Sequence, residues 1–319
     1  MSSSPTAKAM HAGMAPGLKS CRYRPIQMFD RPCRPLQAVN PSSSKVIAMS
    51  ADATIHALNI QIPTQPKAIQ ELTSLLANPA HQAADVSAII ESDLGLAASV
   101  LRVVNSSLFG FAGNVQTVRH ALTYLGTQEV AALTLQMGLR AAFPRSVALD
   151  ALWESSSARA RAMTQLGGTL CVDPWVAHSA GLFEECGKAI FLRHAPERYG
   201  ALLASVEDDQ ALIFREHEMF GVGHDALGAA MCETWGLAPA AVHSVRHHVA
   251  AQMEWRLPAH RAHRPILALS VLAKAVTAGP VRLTEVVNTV AAQMGWPVEA
   301  VLSALQCAET SRAAATQAA

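Results

Sequence analysis

Residues 177–192 read AHSAGLFEECGKAIFL, an apolar helical run that is interrupted by two adjacent acids, Glu184 and Glu185. Burying an ionised carboxylate costs free energy unless a cation, a metal ion or water stabilises it. Two adjacent acids in the middle of such a helix therefore indicate either a chemical site or an exposed helix edge. The functional interpretation of the chain depends on which of the two is present.

The composition favours helices throughout the chain. Half of the 319 residues are hydrophobic, only 5% are aromatic, and Ala, Leu and Val dominate. Small and unbranched side chains suit closely packed helices. Apolar residues recur at three- and four-residue spacing, as after Pro66, and no segment shows the strict alternation of a strand. We predict an all-α protein, with Asp85, Thr117 and Thr127 as helix N-caps and Pro174 in a first helical turn.

The charged residues are unevenly distributed along the chain. Residues 1–50 contain seven Lys or Arg and one acid, Asp30, and are rich in Ser and Pro. They cannot bury enough apolar surface to offset the entropy of ordering, so we predict a disordered basic tail. It is either a solvated segment, a weak binder of an acidic partner, or an extension upstream of a start near Met49. The remaining residues carry 18 basic and 23 acidic side chains, which disfavours nucleic acid as a partner.

The cysteines and the apolar runs bear on the compartment. Six cysteines lie scattered without CxxC spacing, which argues against a zinc ribbon and against a disulfide framework. No apolar run reaches the roughly 20 residues that cross a bilayer, and the N-terminus lacks the apolar segment of a secretory signal. We expect a cytoplasmic protein without membrane contact, with Cys186 as a packed free thiol.

Two predicted helices on either side of Gly126 superficially resemble a helix-turn-helix unit. The second helix would need polar and basic side chains facing the bases, but it offers only Gln128, Gln136 and Arg140. We interpret the pair as packed helices. A DNA-binding regulator that uses the basic tail stays an alternative.

Several motifs between residues 60 and 280 together resemble the HDOD domain, a bacterial signalling relative of the HD phosphohydrolases. The most specific feature is the run VNSSLFG at residues 104–110, followed by an Ala-Leu-x-x-Leu-Gly segment at 121–126. Further matching positions are Ile62-Pro63, Pro66, Glu91-Ser92-Asp93, Leu101, Trp153, Ala180-Gly181-Leu182, Gly187-Lys188, Glu218, His224, Trp235 and His247-His248. The resemblance implies a helical N-terminal subdomain packed on an HD-like bundle.

The resemblance also implies where a metal site would lie. HD phosphohydrolases hold divalent metals with His and Asp residues from several helices, and the metal activates a water molecule. In this sequence Ser155 stands where the family has a His, Glu184-Glu185 replaces the His-Asp pair, and the late Asp falls near Lys274. The surviving candidates are His224, His247 and His248. We interpret these positions as a degenerate site, with no catalytic residue and no metal or other cofactor expected.

Two interpretations of the surviving residues stay open. Glu184, Glu185, His224 and His247 can in principle form a non-standard metal cluster, because carboxylates and imidazoles both ligate metals. Alternatively, Glu184 and Lys188 share a partly solvated helix face, Glu185 faces a polar cleft, and Arg246 neutralises the acids. His224 would then cap a helix, His247-His248 would contact carbonyls at a helix end, and residues 155–157 would be a polar cluster at a helix N-terminus.

These inferences predict three regions. Residues 1–50 form the tail, residues 58–280 form the HDOD domain, and helices at 281–312 pack on the bundle. Within the domain we expect a five-helix subdomain at 58–145 and a degenerate HD-like subdomain at 150–280.

The predicted function is non-enzymatic regulation of bacterial signal transduction through protein–protein contacts. The resemblance implies a protein partner in a cyclic-di-GMP, chemotaxis or two-component pathway. The sequence shows no fused signalling segment, so we expect the partner to act in trans. A metal-dependent phosphohydrolase acting on a nucleotide or cyclic dinucleotide is the first alternative.

Overall fold

Helices follow one another from Lys67 onward in the computed structural model, which describes residues 60–318 except 79, 107–108, 110–112 and 277–279. The side chains of residues 280–281 and 311–318 are also outside the description. The described residues contain no strand, so the all-α prediction is confirmed. The predicted tail at 1–50 lies outside the described residues.

The helices have the following bounds. They are α1 Lys67–Leu76, α2 Ala83–Glu91, α3 Leu94–Val104, α4 Val118–Leu125, α5 Thr127–Ala141, α6 Val147–Thr169, α7 Pro174–Phe183, α8 Cys186–His194, α9 Pro196–Ser205, α10 Asp209–Phe220, α11 His224–Thr234, α12 Pro239–Glu254, α13 Arg264–Ala275, α14 Pro280–Met294 and α15 Val298–Ala318. A short 3-10 turn, Arg261–His263, precedes α13. None of the described helices is both long and apolar enough to cross a lipid bilayer.

Capping side chains explain several of these boundaries. Thr117 accepts a hydrogen bond from the His120 N–H at 3.1 Å, which confirms it as the N-cap of α4. Pro174 is the first residue of α7, as predicted, and the Asp173 carboxylate accepts the next two backbone N–H groups. A proline suits this position because the N–H that it lacks would have no partner within the helix.

Three predictions about helix starts were wrong. Asp85 lies inside α2, where its side chain accepts the N–H of the true N-cap, Gln82. Thr127 is the first residue of α5, because Gly126 alone separates α4 from α5 and serves both helix ends with a φ of 82°. The serines at 155–157 lie in the middle of α6, whose N-cap is Ser146.

A smaller hydrophobic cluster is built from α2, α3, α4 and parts of α1 and α5. Its members include Leu72, Val86, Ile90, Val100, Val104, Val118, Leu122 and Val130. The side-chain amide of Asn105 joins the two ends of the connection after α3, because it donates to the Val115 carbonyl and accepts from the Val115 N–H. This bidentate clamp gives a physical role to the asparagine of the VNSSLFG run.

A larger hydrophobic cluster is built from the later helices. It includes Trp153, Phe183, Phe191, Tyr199, Trp235, Leu269 and Leu272. Leu135 and Leu139 of α5 also belong to it, so α5 faces both clusters. Val290 of α14 and Val301 and Leu305 of α15 pack into the same larger cluster. The exact domain boundaries at 145, 150 and 280 stay predictions.

The predicted continuous helix at 177–192 is two helices. α7 ends at Phe183 and α8 begins at Cys186, and Glu184 and Glu185 form the break between them. Glu184 keeps helical angles, whereas Glu185 has φ −94° and ψ 0°, a sparsely populated region in which active-site residues are often found. The two acids therefore lie at a change of chain direction instead of at mid-helix.

Candidate functional site

The break between α7 and α8 turns both acids toward Arg159 of α6. Arg159 Nη1 lies 2.7 Å from Glu184 Oε2, and Arg159 Nη2 lies 3.0 Å from Glu185 Oε1. Glu184 is fully buried, Glu185 is 4% exposed, and the Arg159 side chain is 11% exposed. One guanidinium thus bridges two adjacent carboxylates, for which its planar fork of donors is well suited.

A second cation extends the ion pairs toward α10. Lys188 Nζ lies 2.6 Å from Glu185 Oε2 and 2.7 Å from Asp209 Oδ1. Lys274 of α13 approaches the other oxygen of Asp209 at 3.1 Å. We call Arg159, Glu184, Glu185, Lys188 and Asp209 the buried charged cluster.

The charges in this cluster hold one another ionised. Burial alone would raise the pKa of Glu185, but Lys188 and Arg159 outweigh burial and hold that pKa well below its usual range. Burial would likewise raise the pKa of Asp209, which Lys188 and Lys274 lower instead. The pKa of Lys188 is raised, because Glu185 and Asp209 outweigh the opposing effect of burial. Glu185, Asp209 and Lys188 are therefore ionised at neutral pH.

Gln252 of α12 completes the contacts of Glu184. Its side-chain nitrogen donates to Glu184 Oε2 at 3.3 Å and to Ser270 Oγ of α13 at 2.9 Å. The other oxygen of Glu184, Oε1, is buried and has no hydrogen-bond partner. Within the buried charged cluster, this oxygen is the side-chain atom that is completely buried without a hydrogen-bond partner.

A histidine pair lies next to this cluster. The rings of His224 and His248 are edge to face, with centroids 5.5 Å apart, and both residues are fully buried. His224 Nδ1 lies 2.8 Å from Glu216 Oε2, and the other oxygen of Glu216 accepts the Tyr199 hydroxyl. His248 Nδ1 lies 2.7 Å from the Val245 carbonyl. The outer nitrogen, Nε2, of each ring is buried without a partner.

Four of the six predicted site residues come together. Glu184 and Glu185 adjoin the pair of His224 and His248, and burial lowers the pKa of His248 against the opposing effect of the Glu184 charge. Ser155 and His247, by contrast, are exposed. His247 packs on His243, with ring centroids 4.4 Å apart, on the outer face of α12.

The predicted solvated-face interpretation was wrong in its details. Glu184 is buried and contacts Arg159, while Lys188 pairs with Glu185 and Asp209. The predicted neutralising residue Arg246 pairs instead with Glu233 near the surface.

The predicted helix-end roles of the histidines were wrong, whereas the predicted packing of the Cys186 thiol was confirmed. His224 is the first residue of α11 and does not cap it with its side chain. His247 and His248 lie in the interior of α12, away from its ends. The packed thiol was confirmed, because Cys186 is fully buried.

Sequence reasoning missed Arg159, Asp209, Glu216 and Gln252. The sequence carried a weak signal for Glu216. It lies four residues after Leu212 and four before Phe220, so it shares their buried face of α10. An acid within an apolar stripe indicates a satisfied buried carboxylate. Arg159 carries no comparable signal, since its two partners lie 25 and 26 positions later in the chain.

The resemblance to HD phosphohydrolases implies a metal site built from these residues. The Glu184 and Glu185 carboxylates are already paired with Arg159 and Lys188, and His224 Nδ1 is held by Glu216. Within the described part of the chain, no three His, Cys, Asp or Glu side chains are arranged to hold a metal ion. A guanidinium 2.7 Å from a carboxylate also repels a dication from the same oxygen. The carboxylate oxygens that pair with Arg159 and Lys188 therefore do not fit the implied metal.

A groove of about 390 Å³ opens beside the buried charged cluster. Its lining includes Lys188, Asp209, Val249, Gln252, Met253 and Lys274. The polar edge of the cluster is therefore accessible from solvent through this groove.

The fold and the site together define an all-helical protein whose buried polar centre, at a break between two helices, is closed by ion pairs. A family model for the HDOD domain matches residues 62–251, which is more than half of the chain. The chain belongs to the HDOD-domain family, which confirms the resemblance inferred from its motifs.

A curated relative and several solved structures are similar to this chain. An uncharacterized protein of Treponema pallidum (strain Nichols) is 25% identical over 194 residues, which is 59% of this chain and 37% of that protein. The chain thus matches little more than a third of that relative's length.

Solved structures share the fold at low identity. A candidate phosphohydrolase from Shewanella amazonensis aligns with a TM-score of 0.62 and 20% identity, covering 85% of this chain and 98% of that one. A candidate signal transduction protein from Marinobacter aquaeolei aligns with a TM-score of 0.67 and 20% identity, covering 84% of this chain and 65% of that one. An HDOD domain protein of unknown function from Geobacter sulfurreducens aligns with a TM-score of 0.64 and 18% identity, covering 84% of this chain and 98% of that one. At these identities the similarity shows the fold alone.

Proposed function

We propose that this protein is a non-enzymatic regulator in bacterial signal transduction and acts in the cytoplasm through protein–protein contacts. The observation that carries the proposal is the bridge from Arg159 to both Glu184 and Glu185. In the predicted correspondence of motifs, these acids replace the His-Asp pair of the HD phosphohydrolases. A protein cation supplies the charge that a metal ion supplies in those enzymes.

The charge balance of the cluster supports this proposal. Arg159 and Lys188 offset two of the three carboxylates, and Lys274 adds a third positive charge at the rim. Removing the guanidinium to admit a metal would leave buried carboxylates uncompensated until the metal bound, which costs several kcal/mol. A structural role for the centre follows, in which it fixes α6, α7, α8 and α10 relative to one another.

The surface around the groove supports a contact role. Phe214 of α10 is 64% exposed and Met253 of α12 is 43% exposed. Met253 lines the groove, and Phe214 lies on a neighbouring concave surface that shares Val206, Glu207 and Asp208 with it. Exposed large apolar side chains beside a polar rim are a common feature of protein-binding surfaces.

The catalytic part of the proposal is tested by hydrolysis assays on the purified full-length chain. Bis(p-nitrophenyl) phosphate and cyclic di-GMP are offered with Mn²⁺, Mg²⁺, Fe²⁺ or Zn²⁺. We expect wild type and Glu185→Gln to give the same background rate. Metal-dependent turnover that disappears in Glu185→Gln would refute the proposal.

The contact part is tested by affinity capture from native cells followed by mass spectrometry. We expect a signalling protein to be retained by wild type and lost with the double variant Phe214→Ser/Met253→Ser. Leu302→Ser on α15 is the matched control, since Leu302 is 41% exposed and lies on a different helix. Equal retention by both variants would exclude this surface.

A second candidate function is metal-dependent phosphohydrolysis, which one specific observation favours. Glu184 Oε1, His224 Nε2 and His248 Nε2 are buried donor atoms without hydrogen-bond partners. A carboxylate and two imidazoles are ligands that Mn²⁺, Fe²⁺ and Zn²⁺ accept. The same hydrolysis assays decide between the two functions, because only this candidate requires turnover.

A further inference from the structure

The groove beside the buried charged cluster adjoins a second concave surface. The groove has a volume of about 390 Å³ and its neighbour has a volume of about 820 Å³. Both are lined by Val206, Glu207 and Asp208, which connect α9 to α10. We call the two concavities with this shared edge the α9–α10 groove.

Apolar side chains line both parts of the α9–α10 groove. Leu203, Leu212 and Val249 line the first part together with Met253, which is 43% exposed. Phe214, which is 64% exposed, lines the second part. Large apolar side chains that stay exposed in a concave surface can receive an apolar side chain of a partner.

The charges deep beside the groove balance one another. Three cations meet three carboxylates there, so their formal charges sum to zero. The six residues are Arg159, Lys188 and Lys274, and Glu184, Glu185 and Asp209. In the second concavity, Arg215 is paired with Glu218 at 2.7 Å. These groups therefore add no net charge to the surface that a partner meets.

The shared edge of the groove, by contrast, is negative. Glu207 and Asp208 are both exposed, and neither forms an ion pair with another residue that the structure describes. The Asp208 carboxylate accepts the Ala211 N–H at 2.7 Å and so caps α10, but this hydrogen bond leaves its charge in place. Two adjacent negative charges thus lie between the apolar residues of the two concavities.

We propose that the α9–α10 groove binds a basic amphipathic segment of a protein partner. Large apolar side chains of this segment pack on Phe214 and Met253, and its Lys or Arg side chains contact Glu207 and Asp208. Burial of apolar surface supplies the affinity, and opposite charges at the edge steer association and fix orientation. An acidic segment would instead bring like charges together at this edge, which costs free energy.

This inference rests on the proposed contact role of the surface and adds the chemistry of the partner. It is tested by peptide binding to the full-length chain at pH 7.5, measured by fluorescence polarisation. The probes are a labelled amphipathic Leu/Lys peptide, its Leu/Glu counterpart and a Ser/Lys peptide of the same length. We expect the Leu/Lys peptide to bind about tenfold or more tightly than either of the others. Raising NaCl from about 0.05 to 0.5 M should weaken its binding, because salt screens exposed charges.

Two matched double variants locate the binding. Glu207→Gln/Asp208→Asn removes both charges of the edge and keeps a residue that can cap α10. We expect it to bind the Leu/Lys peptide about tenfold or more weakly than wild type. Glu299→Gln/Glu309→Gln removes two exposed carboxylates of α15, changes the net charge equally and should bind like wild type. Circular dichroism of each variant establishes that it is folded.

Three outcomes would overturn the proposal. They are a wild type that does not prefer the Leu/Lys peptide or does not bind it, equal affinity of the two double variants, and a dimer of the chain that Phe214→Ser/Met253→Ser dissociates in sedimentation. The last outcome would assign the groove to a second copy of this chain. Each of these results leaves the proposed function to its own tests, because capture from cells uses the native partner and the hydrolysis assays use no peptide.

Discussion

The strongest interactions of the site belong to single residues. Arg159 contacts the carboxylates of Glu184 and Glu185 at once, and the ammonium group of Lys188 contacts those of Glu185 and Asp209. The two side chains are only 10–11% exposed, so each cation depends on the carboxylates that the fold places beside it. Losing one of these cations should therefore lower the free energy of unfolding more than losing one partner of a surface ion pair would.

Replacing Arg159 by Ala should lower the free energy of unfolding by about 3–5 kcal/mol, because Glu184 and Glu185 would stay buried without their bridge. Arg159→Lys should destabilise the protein less than Arg159→Ala does, because an ammonium group keeps the positive charge although it lacks the planar fork of the guanidinium. Urea unfolding monitored by circular dichroism measures both changes. Arg193→Ala, at an exposed position of α8, is the control, and equal stability of Arg159→Ala and Arg193→Ala would contradict this account.

His178 makes the stability depend on pH. It is 6% exposed, and burial lowers its pKa to about 4. The unfolded ring protonates near its ordinary pKa of about 6.5, so the unfolded state binds the extra proton between these values. The stabilisation by His178 is complete above about pH 6.5 and declines by up to about 3 kcal/mol as the pH falls toward 4.

Unfolding free energies at pH 4.5, 5.5 and 7 test this prediction. His178→Gln should flatten the pH dependence relative to wild type, whereas His194→Gln, at an exposed position of α8, should leave it unchanged. A wild-type slope that persists in His178→Gln would show that other groups cause it.

At the scale of the elements, α8 closely approaches α11 just after the break between α7 and α8. Gly187 lies in the first turn of α8, and a Cβ at this position would overlap the carbonyl oxygen of His224, the first residue of α11. The overlapped atom belongs to the backbone, so it cannot move aside as the end of a side chain can. Glycine is therefore required for the two helix starts to meet.

Gly187→Ala should destabilise the protein by about 1–3 kcal/mol or more, because the overlap must push α8 and α11 apart. Gly200→Ala in α9 is the matched control, since a Cβ there has open space around it. That variant should gain up to about 1 kcal/mol from its higher helix propensity. Thermal and urea unfolding measure both variants, and similar stabilities would contradict the proposed close approach.

At the scale of the whole molecule, one hydrogen bond joins the start of the described chain to its later half. Trp235 Nε1 donates to the Pro63 carbonyl at 2.9 Å, across 172 positions of sequence. Trp235 is 1% exposed, and its ring also packs edge to face on Phe183 at 5.4 Å. The segment before α1 is thereby attached to the larger hydrophobic cluster.

Trp235→Phe should lower the free energy of unfolding by about 1–3 kcal/mol, because the buried Pro63 carbonyl loses its partner. Hydrogen exchange should speed up for residues 60–66. Phe183→Leu, which disturbs the same ring contact but keeps the bond to Pro63, should change exchange in that segment less. Unchanged exchange at 60–66 in Trp235→Phe would contradict the attachment.

Local patterns determined much of this protein from the sequence. The three- and four-residue spacing of apolar residues predicted an all-α fold, and the VNSSLFG run with its neighbours predicted the family; both predictions are confirmed. Such signals are readable because the hydrogen bonds and caps of a helix involve residues within a few positions of one another. Single-residue boundaries such as Gly126, which serves two helices, lie beyond that precision.

The tertiary structure decided the chemistry of the site. Adjacent residues on a helix differ by about 100° in direction, so packing places His248 in the core and His247 on the surface beside His243. The bridge from Arg159 to Glu184 and Glu185 depends on how α6 lies against the break after α7. The sequence left open whether the two acids meet a cation, a metal ion or water or lie at an exposed edge, and only the packing of helices distant in the chain placed Arg159 and Lys188 beside them.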